Sequence, residues 1–433
     1  MIKSILFLLF VLVFNGCIGF SNGLQKEVKP NQKTFEEEDT YILFALRAEQ
    51  LKEYEAAASM FNTLYEKSNK KEYLYHSLQN YLVSGNNEAA IQKVDDVSGG
   101  SFDDFSLIRI KIVALMQLEK LEEAKSLAIQ LVSLSNEVDD YTLVSDIYIK
   151  QKKYDTAIKY LESAYAKNYN EIVLDKMSIV LYVNLQRKKD AIAQLETHSR
   201  VHGCSKIICS RLIGFYSNEN NIEGLLSTYL RLYELEKDEQ IARKIIQIYG
   251  YKKDYMNLIE FLERSNSDDA LLLEFYAKYK KYKEASLLAQ KLYSKTYEVS
   301  YLGQSAIFEY ESSINKNDKK MLQKVIDKLH KVLKIEESAL YLNYLGYIMI
   351  DHEIDVKKGI AYVKKALLVE PKSAYYLDSL AWGYYKLGEC KRAHKIIKEV
   401  LGLEGGDDLE VLSHYKAIEQ CLKLKTKKGK GTK

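Results

Sequence analysis

The sequence predicts an all-α protein made of stacked helical hairpins, on three observations. Only two prolines, Pro30 and Pro371, occur in 433 residues, so helices can follow one another almost without a breaker. Ala57, Ala90, Ala124, Ala157, Ala191, Gly224 and Leu258 recur at intervals that alternate between 33 and 34 residues. Between Ser338 and Leu403 one hairpin is written twice in succession. Two antiparallel helices approach closely only where their crossing point lacks bulk, so a small residue at a fixed period marks one crossing per hairpin.

The duplicated hairpin carries the most detail. Its first copy reads Leu342-x2-Leu345-Gly346-x2-Met349, then Gly359-x3-Val363 and Pro371. The second reads Leu377-x2-Leu380-Ala381-x2-Tyr384, then Ala393-x3-Ile397. Gly346, Ala381, Gly359, Ala393 and Ala366 occupy the places where side chains would otherwise collide. This spacing resembles the tetratricopeptide repeat (TPR), a helix-turn-helix unit of 34 residues that stacks into a right-handed superhelix. Leu377 stands at the repeat's usual Trp position, Ala381 at its Gly position and Gly405 at its Pro position. The resemblance implies a right-handed α-solenoid of about eleven hairpins with a C-terminal capping helix.

In chain order, Lys3 is followed by an apolar run from Ile5 to Phe14 and then Asn15-Gly16-Cys17. Ten apolar residues are too few to span a bilayer and suit a secretory signal. Phe14-Asn15-Gly16-Cys17 resembles the bacterial lipobox, which implies lipidation of Cys17. Gly16 and Cys17 match that pattern, whereas Phe14 and Asn15 depart from it. Ordinary cleavage near Gly19 or Ser21 would instead release a soluble periplasmic protein. With Ile18 after the Cys, the family sorting rule implies an outer-membrane lipoprotein facing the periplasm. Residues 18–34 are polar and aperiodic, with Gly19, Gly23 and Pro30, and read as a flexible linker. Glu36, Glu37, Glu38 and Asp39 open the first helix, where acids oppose the positive end of the helix dipole.

The solenoid is expected over 35–405. Its period breaks near 260–325, where Leu258 to Ala285 is 27 residues and Ala285 to Val325 is 40. The first interval implies a shortened hairpin around Ser265 to Asp269. The second implies a long helix or an enlarged loop near Ser312 to Lys319. Residues 406–424 read as a capping helix and 425–433 as a basic tail.

Charge excludes one class of partner. Sixty-three basic residues oppose 60 acidic ones, so no global field would hold a nucleic acid. Tyrosine is abundant, at 35, which suits helix faces that need an apolar ring and a wet hydroxyl; codon bias toward AT-rich triplets would also produce it.

Catalytic chemistry is sought with little result. Gly19-Phe20-Ser21-Asn22-Gly23 has the spacing of a nucleophile elbow but follows no strand. His352, in Asp351-His352-Glu353, reads as a solvated turn residue. His202, Cys204 and Cys209 form one local cluster, but a metal there needs two more ligands. A Cys204–Cys209 disulfide is left open, and Cys390 and Cys421 are not paired from sequence. No catalytic residue, cofactor or metal is assigned.

In tetratricopeptide proteins the first helix of each hairpin lines the concave side and receives peptides or partner helices. That resemblance places Asn343, Tyr344, Tyr347, Ile350, Asp378, Trp382, Tyr385 and Lys386 on the inward side of the last two hairpins. The family's carboxylate clamp is not supported, because Lys176 is followed four residues later by Val180. The expectation is a non-catalytic scaffold lipoprotein of the bacterial cell envelope. It would bind envelope proteins or peptides in outer-membrane, pilus or motor assembly. The alternatives are a scaffold for exopolysaccharide export and, from another class, an enzyme whose site is assembled across hairpins.

Overall fold

A computed structural model describes residues 33–428, with side chains placed to 424. The signal-like segment 1–17 with Cys17, the linker to residue 32 and the end of the basic tail lie outside the described residues. The chain forms two compact units, one ending at Thr228 and the other beginning at Tyr229. Among the described residues every regular element is helical.

The first unit pairs α1 (Glu38–Gln50) with α2 (Tyr54–Ser68), α3 (Lys71–Ser84) with α4 (Asn87–Ser98), and α5 (Phe105–Gln117) with α6 (Leu121–Ser135). It continues with α7 (Val138–Lys150) and α8 (Tyr154–Asn168), α9 (Glu171–Ile179) and α10 (Lys188–His202), then α11 (Lys206–Asn218). The boundary falls within α12 (Ile222–Glu236). In the second unit α13 (Glu239–Lys252) pairs with α14 (Tyr255–Ser265), α15 (Asp269–Lys278) with α16 (Tyr282–Thr296), and α17 (Val299–Ser312) with α18 (Lys319–Leu333). Then come α19 (Ala339–Asp351) and α20 (Val356–Val369), α21 (Ala374–Lys386) and α22 (Cys390–Val400), and finally α23 (Leu409–Lys428). Ten hairpins, the helices α11 and α12 next to the boundary, and a terminal helix are thus present among the described residues.

The three-residue turns inside hairpins repeat one solution. The second turn residue takes the left-handed conformation, as Lys52, Glu119, Lys152 and Lys280 do at φ 57–63°. The next N–H then reaches back five residues, from Glu53 to Ala48 O and from Lys120 to Leu115 O, both at 2.9 Å. This is the Schellman arrangement, which satisfies carbonyls that the helix end would leave open. One helix departs from the pattern: α9 runs on into a π-turn at Val180–Asn184, where Tyr182 stacks on Phe215 with ring centroids 3.9 Å apart.

The marking residues sit where the period demands. Ala57, Ala90, Ala124, Ala157, Ala191, Ala285, Val325 and Ala393 are fully buried. At the α19–α20 crossing the two backbones nearly touch, and a Cβ on Gly346 would lie 2.7 Å from the carbonyl oxygen of Gly359. The irregular stretch has two causes. Helices α14 and α15 are only 11 and 10 residues long, and six residues, 313–318, join α17 to α18 where three suffice between α1 and α2.

Tyrosine finds its use between helices. Tyr73 donates to Glu38 at 2.7 Å, Tyr75 to Asp104 at 2.7 Å, Tyr182 to Glu219 at 2.7 Å and Tyr276 to Glu263 at 2.8 Å. In each case the ring fills the gap between hairpins while the hydroxyl captures a carboxylate.

Candidate functional site

Successive first helices are joined by polar bonds about one repeat apart in sequence. In the first unit Arg109 of α5 holds Asp140 of α7 through two bonds of 2.6 and 2.7 Å. Arg211 of α11 holds Asp175 of α9 at 2.6 and 2.9 Å. Lys176, which sequence alone left without a clamp partner, binds Asp146 of α7 at 2.9 Å. In the second unit the same ladder runs from α17 to α23, and its rungs there are largely aromatic.

Trp382 is central to this stretch. Its ring stacks on Tyr385 at 4.7 Å and on His414 of α23 at 4.0 Å, and its Nε1 donates to Asp351 at 2.9 Å. Lys386 donates to the Asp351 carbonyl and the Glu353 carboxylate, both at 3.0 Å. His414 Nδ1 lies 2.8 Å from Asp378 Oδ2. Tyr347 donates to Glu410 of α23, and Tyr344 to Glu311 of α17 at 3.4 Å. The expected inward residues are therefore gathered on one face, where α23 takes the place of a twelfth first helix.

That placement divides the eight. Asn343 and Asp378 are 9% and 5% exposed and Ile350 is fully buried, so they belong to the packing between hairpins. Tyr344, Tyr347, Trp382, Tyr385 and Lys386 keep part of their surface open. Burial raises the Tyr344 and Tyr347 hydroxyls well above the ordinary phenol range, and the neighbouring Glu311 and Glu410 carboxylates raise them further. Both stay protonated donors. One oxygen of Asp378 and the amide oxygen of Asn343 are buried without a hydrogen-bond partner.

One sequence expectation needs correction. His352 is not a solvated turn residue; its side chain is 6% exposed. Tyr310 of α17 and Asn317 of the long α17–α18 loop cover it, with Tyr310 OH and Asn317 Oδ1 each 3.1 Å from its ring nitrogens. Burial lowers its pKa, against the opposing charge of Asp351. Cys390 and Cys421, for which the sequence offers no pairing, form a disulfide between α22 and α23 with a Cα–Cα distance of 5.8 Å. Cys204 and Cys209, left open, are also bridged, at 5.5 Å. Both distances lie in the normal disulfide range. Among the described residues no helix is long and apolar enough to cross a membrane, and no three potential metal ligands converge.

Hairpins of this size, with small buried residues at the 33- or 34-residue marks from Ala57 to Ala191, decide the architecture. The fold is of the tetratricopeptide type. No model of a known protein family matches the sequence, and no curated protein does. Solved structures are similar at low identity. The Cut9–Hcn1 hetero-tetramer of the APC/C is 12% identical with a TM-score of 0.41, over 89% of this chain and 97% of that one. A thermophilic TPR protein of Thermus thermophilus is 16% identical with a TM-score of 0.34, over 42% of this chain and 99% of that one. Pseudomonas aeruginosa pilF is 14% identical with a TM-score of 0.35, over 49% of this chain and 98% of that one.

Proposed function

We propose that this tetratricopeptide chain is a non-catalytic docking scaffold of the bacterial cell envelope, tethered by lipid at Cys17, that receives a basic segment of a protein partner. The observation that carries the docking role is the face built by α17, α19, α21 and α23. Four carboxylates that keep open surface, Glu311, Asp351, Glu353 and Glu410, outnumber Lys316 and Lys386 there. Between them lie the partly open rings of Tyr344, Tyr347 and Tyr385. Rings supply contact area at low entropic cost, and a Lys or Arg side chain gains both cation–π and ionic contact on such a surface.

A binding role suits this face better than catalysis. Each carboxylate and each histidine in the cluster is already bonded to a neighbouring helix, so none is poised toward a substrate. The envelope location rests on the cysteines. Four of the five pair as two disulfides, chemistry that persists outside the cytoplasm. The fifth, Cys17, ends the signal-like run.

Two measurements test this reading. Cys17→Ser should move the protein from the membrane to the soluble periplasmic fraction, and unchanged membrane retention would count against the anchor. A photo-crosslinking residue at Tyr385 in intact cells should trap a protein; traps recovered equally from exposed Leu368 on α20 would count against the docking face.

A further inference from the structure

The second unit has another recess, on the opposite type of helix and of opposite charge. Where the six-residue loop 313–318 separates α17 from α18, the second helices α16 and α18 leave a cleft of about 730 Å³. Lys319, Lys320, Lys324, Lys328 and Lys331 line it, with Asp327 the single acid among the lining residues. Lys324 and Lys328 share Glu309 at 2.5 and 2.8 Å. Lys331 lies over the Tyr293 ring at 5.2 Å, and Lys320 and Lys331 are exposed. Tyr293 and Leu302 supply an apolar floor, and Gln290 adds an amide.

We propose that this cleft binds an extended acidic peptide segment, with carboxylates alternating with apolar residues, from a partner protein. The spacing argues for it. Lys320, Lys324 and Lys328 are four residues apart on α18, which is about 6 Å along a helix. Same-side residues of an extended chain recur at about 6.7 Å. Carboxylates on one side of such a chain therefore meet successive lysines, while the residues between them turn to Tyr293 and Leu302. The run from Lys320 to Lys331 is about 16 Å long, the reach of roughly five extended residues. A uniformly charged polymer would leave the apolar floor unused, and a flat lipid surface would not enter a recess.

The test is fluorescence anisotropy of the full chain with a dye-labelled heptapeptide of alternating Glu and Leu. Saturable binding is expected, weakened at least tenfold by Lys320→Glu/Lys331→Glu and partly by Lys320→Gln/Lys331→Gln. Lys295→Glu, on α16 outside the cleft, should leave it unchanged. Both changes in each double variant lie at exposed positions, and circular dichroism confirms that the helices remain. The proposal is overturned if the charge-reversed protein binds as well as the parent, or if a Gln-for-Glu peptide binds equally. It is also overturned if phosphatidylglycerol vesicles or a uronic-acid polymer bind in a manner sensitive to Lys320 while the peptide does not.

Discussion

Reducing the Cys390–Cys421 bridge should loosen α23, and the protein carries its own reporter of that event. Trp382 is the only tryptophan, and one of its faces is covered by His414 of α23 at 4.0 Å. The two cysteines are 31 residues apart. Closing a loop of that length removes unfolded-chain entropy worth about 3.7 kcal/mol in the chain-entropy treatment. A single terminal helix exposes little surface, so a urea slope of about 1–2 kcal/mol per M applies, and the midpoint for losing α23 should fall by roughly 2–4 M. Cys421→Ser is the better variant, because Cys390 is 1% exposed and its removal would also disturb packing. The assay is Trp382 emission against urea for Cys421→Ser and for the parent with and without reductant. The variant and the reduced parent should coincide, both well below the oxidised parent. Coincidence of all three curves would refute the reasoning.

Other perturbations follow from the same geometry. Gly346→Ala forces a Cβ to within 2.7 Å of a backbone oxygen that cannot rotate away, and should cost about 1–3 kcal/mol in denaturant unfolding. Arg109→Met strands Asp140, which is 1% exposed, and should cost about 3 kcal/mol, the lower end for a broken buried pair because Arg109 retains some water. Adding Asp140→Asn should recover part of that loss in the same assay. Burial alone would raise the Glu38 carboxyl, but hydrogen bonds from Lys70, Thr34 and Tyr73 overcome it and bring the pKa from 4.5 to about 2. Its contribution is therefore complete above about pH 4.5 and lost as the pH falls toward 2. Amide exchange in α1 should accelerate over that window, and Glu38→Gln should remove that pH dependence.

The repeat was legible because it is a matter of size and apolarity at a fixed interval. Ala57 through Ala393 could be read one after another, and Gly346 and Gly359 announced a crossing that the fold brings to near contact. What escaped depends on tertiary register. The Cys390–Cys421 bridge follows from where α23 lies on α22, a fact that no local pattern carries. His352 looked solvated because the residues that cover it, Tyr310 and Asn317, come from a preceding hairpin whose loop length could not be turned into a direction. Asn343 and Asp378 share the inward register of Tyr344 and Trp382, but the next first helix packs over them. The signal that could have separated these groups is charge complementarity at one repeat's distance, as in Arg109 with Asp140 or Asp378 with His414. The lysines of α18 are present in the sequence, but the cleft beside them depends on how Gln290 and Tyr293 of α16 and Leu302 of α17 pack against that helix.

The docking role stands or falls on an acidic, ring-lined face receiving a basic protein segment, and crosslinking with charge reversal tests it most directly. A photo-reactive residue at Tyr385 would be placed in the parent and in Glu311→Lys/Glu353→Lys, and the crosslinked partner residues mapped by mass spectrometry from intact cells. The expected result is a crosslink adjacent to Lys or Arg of the partner, lost on charge reversal while the helices remain. A crosslink of equal yield in the reversed protein, or one flanked by acidic residues, would contradict it.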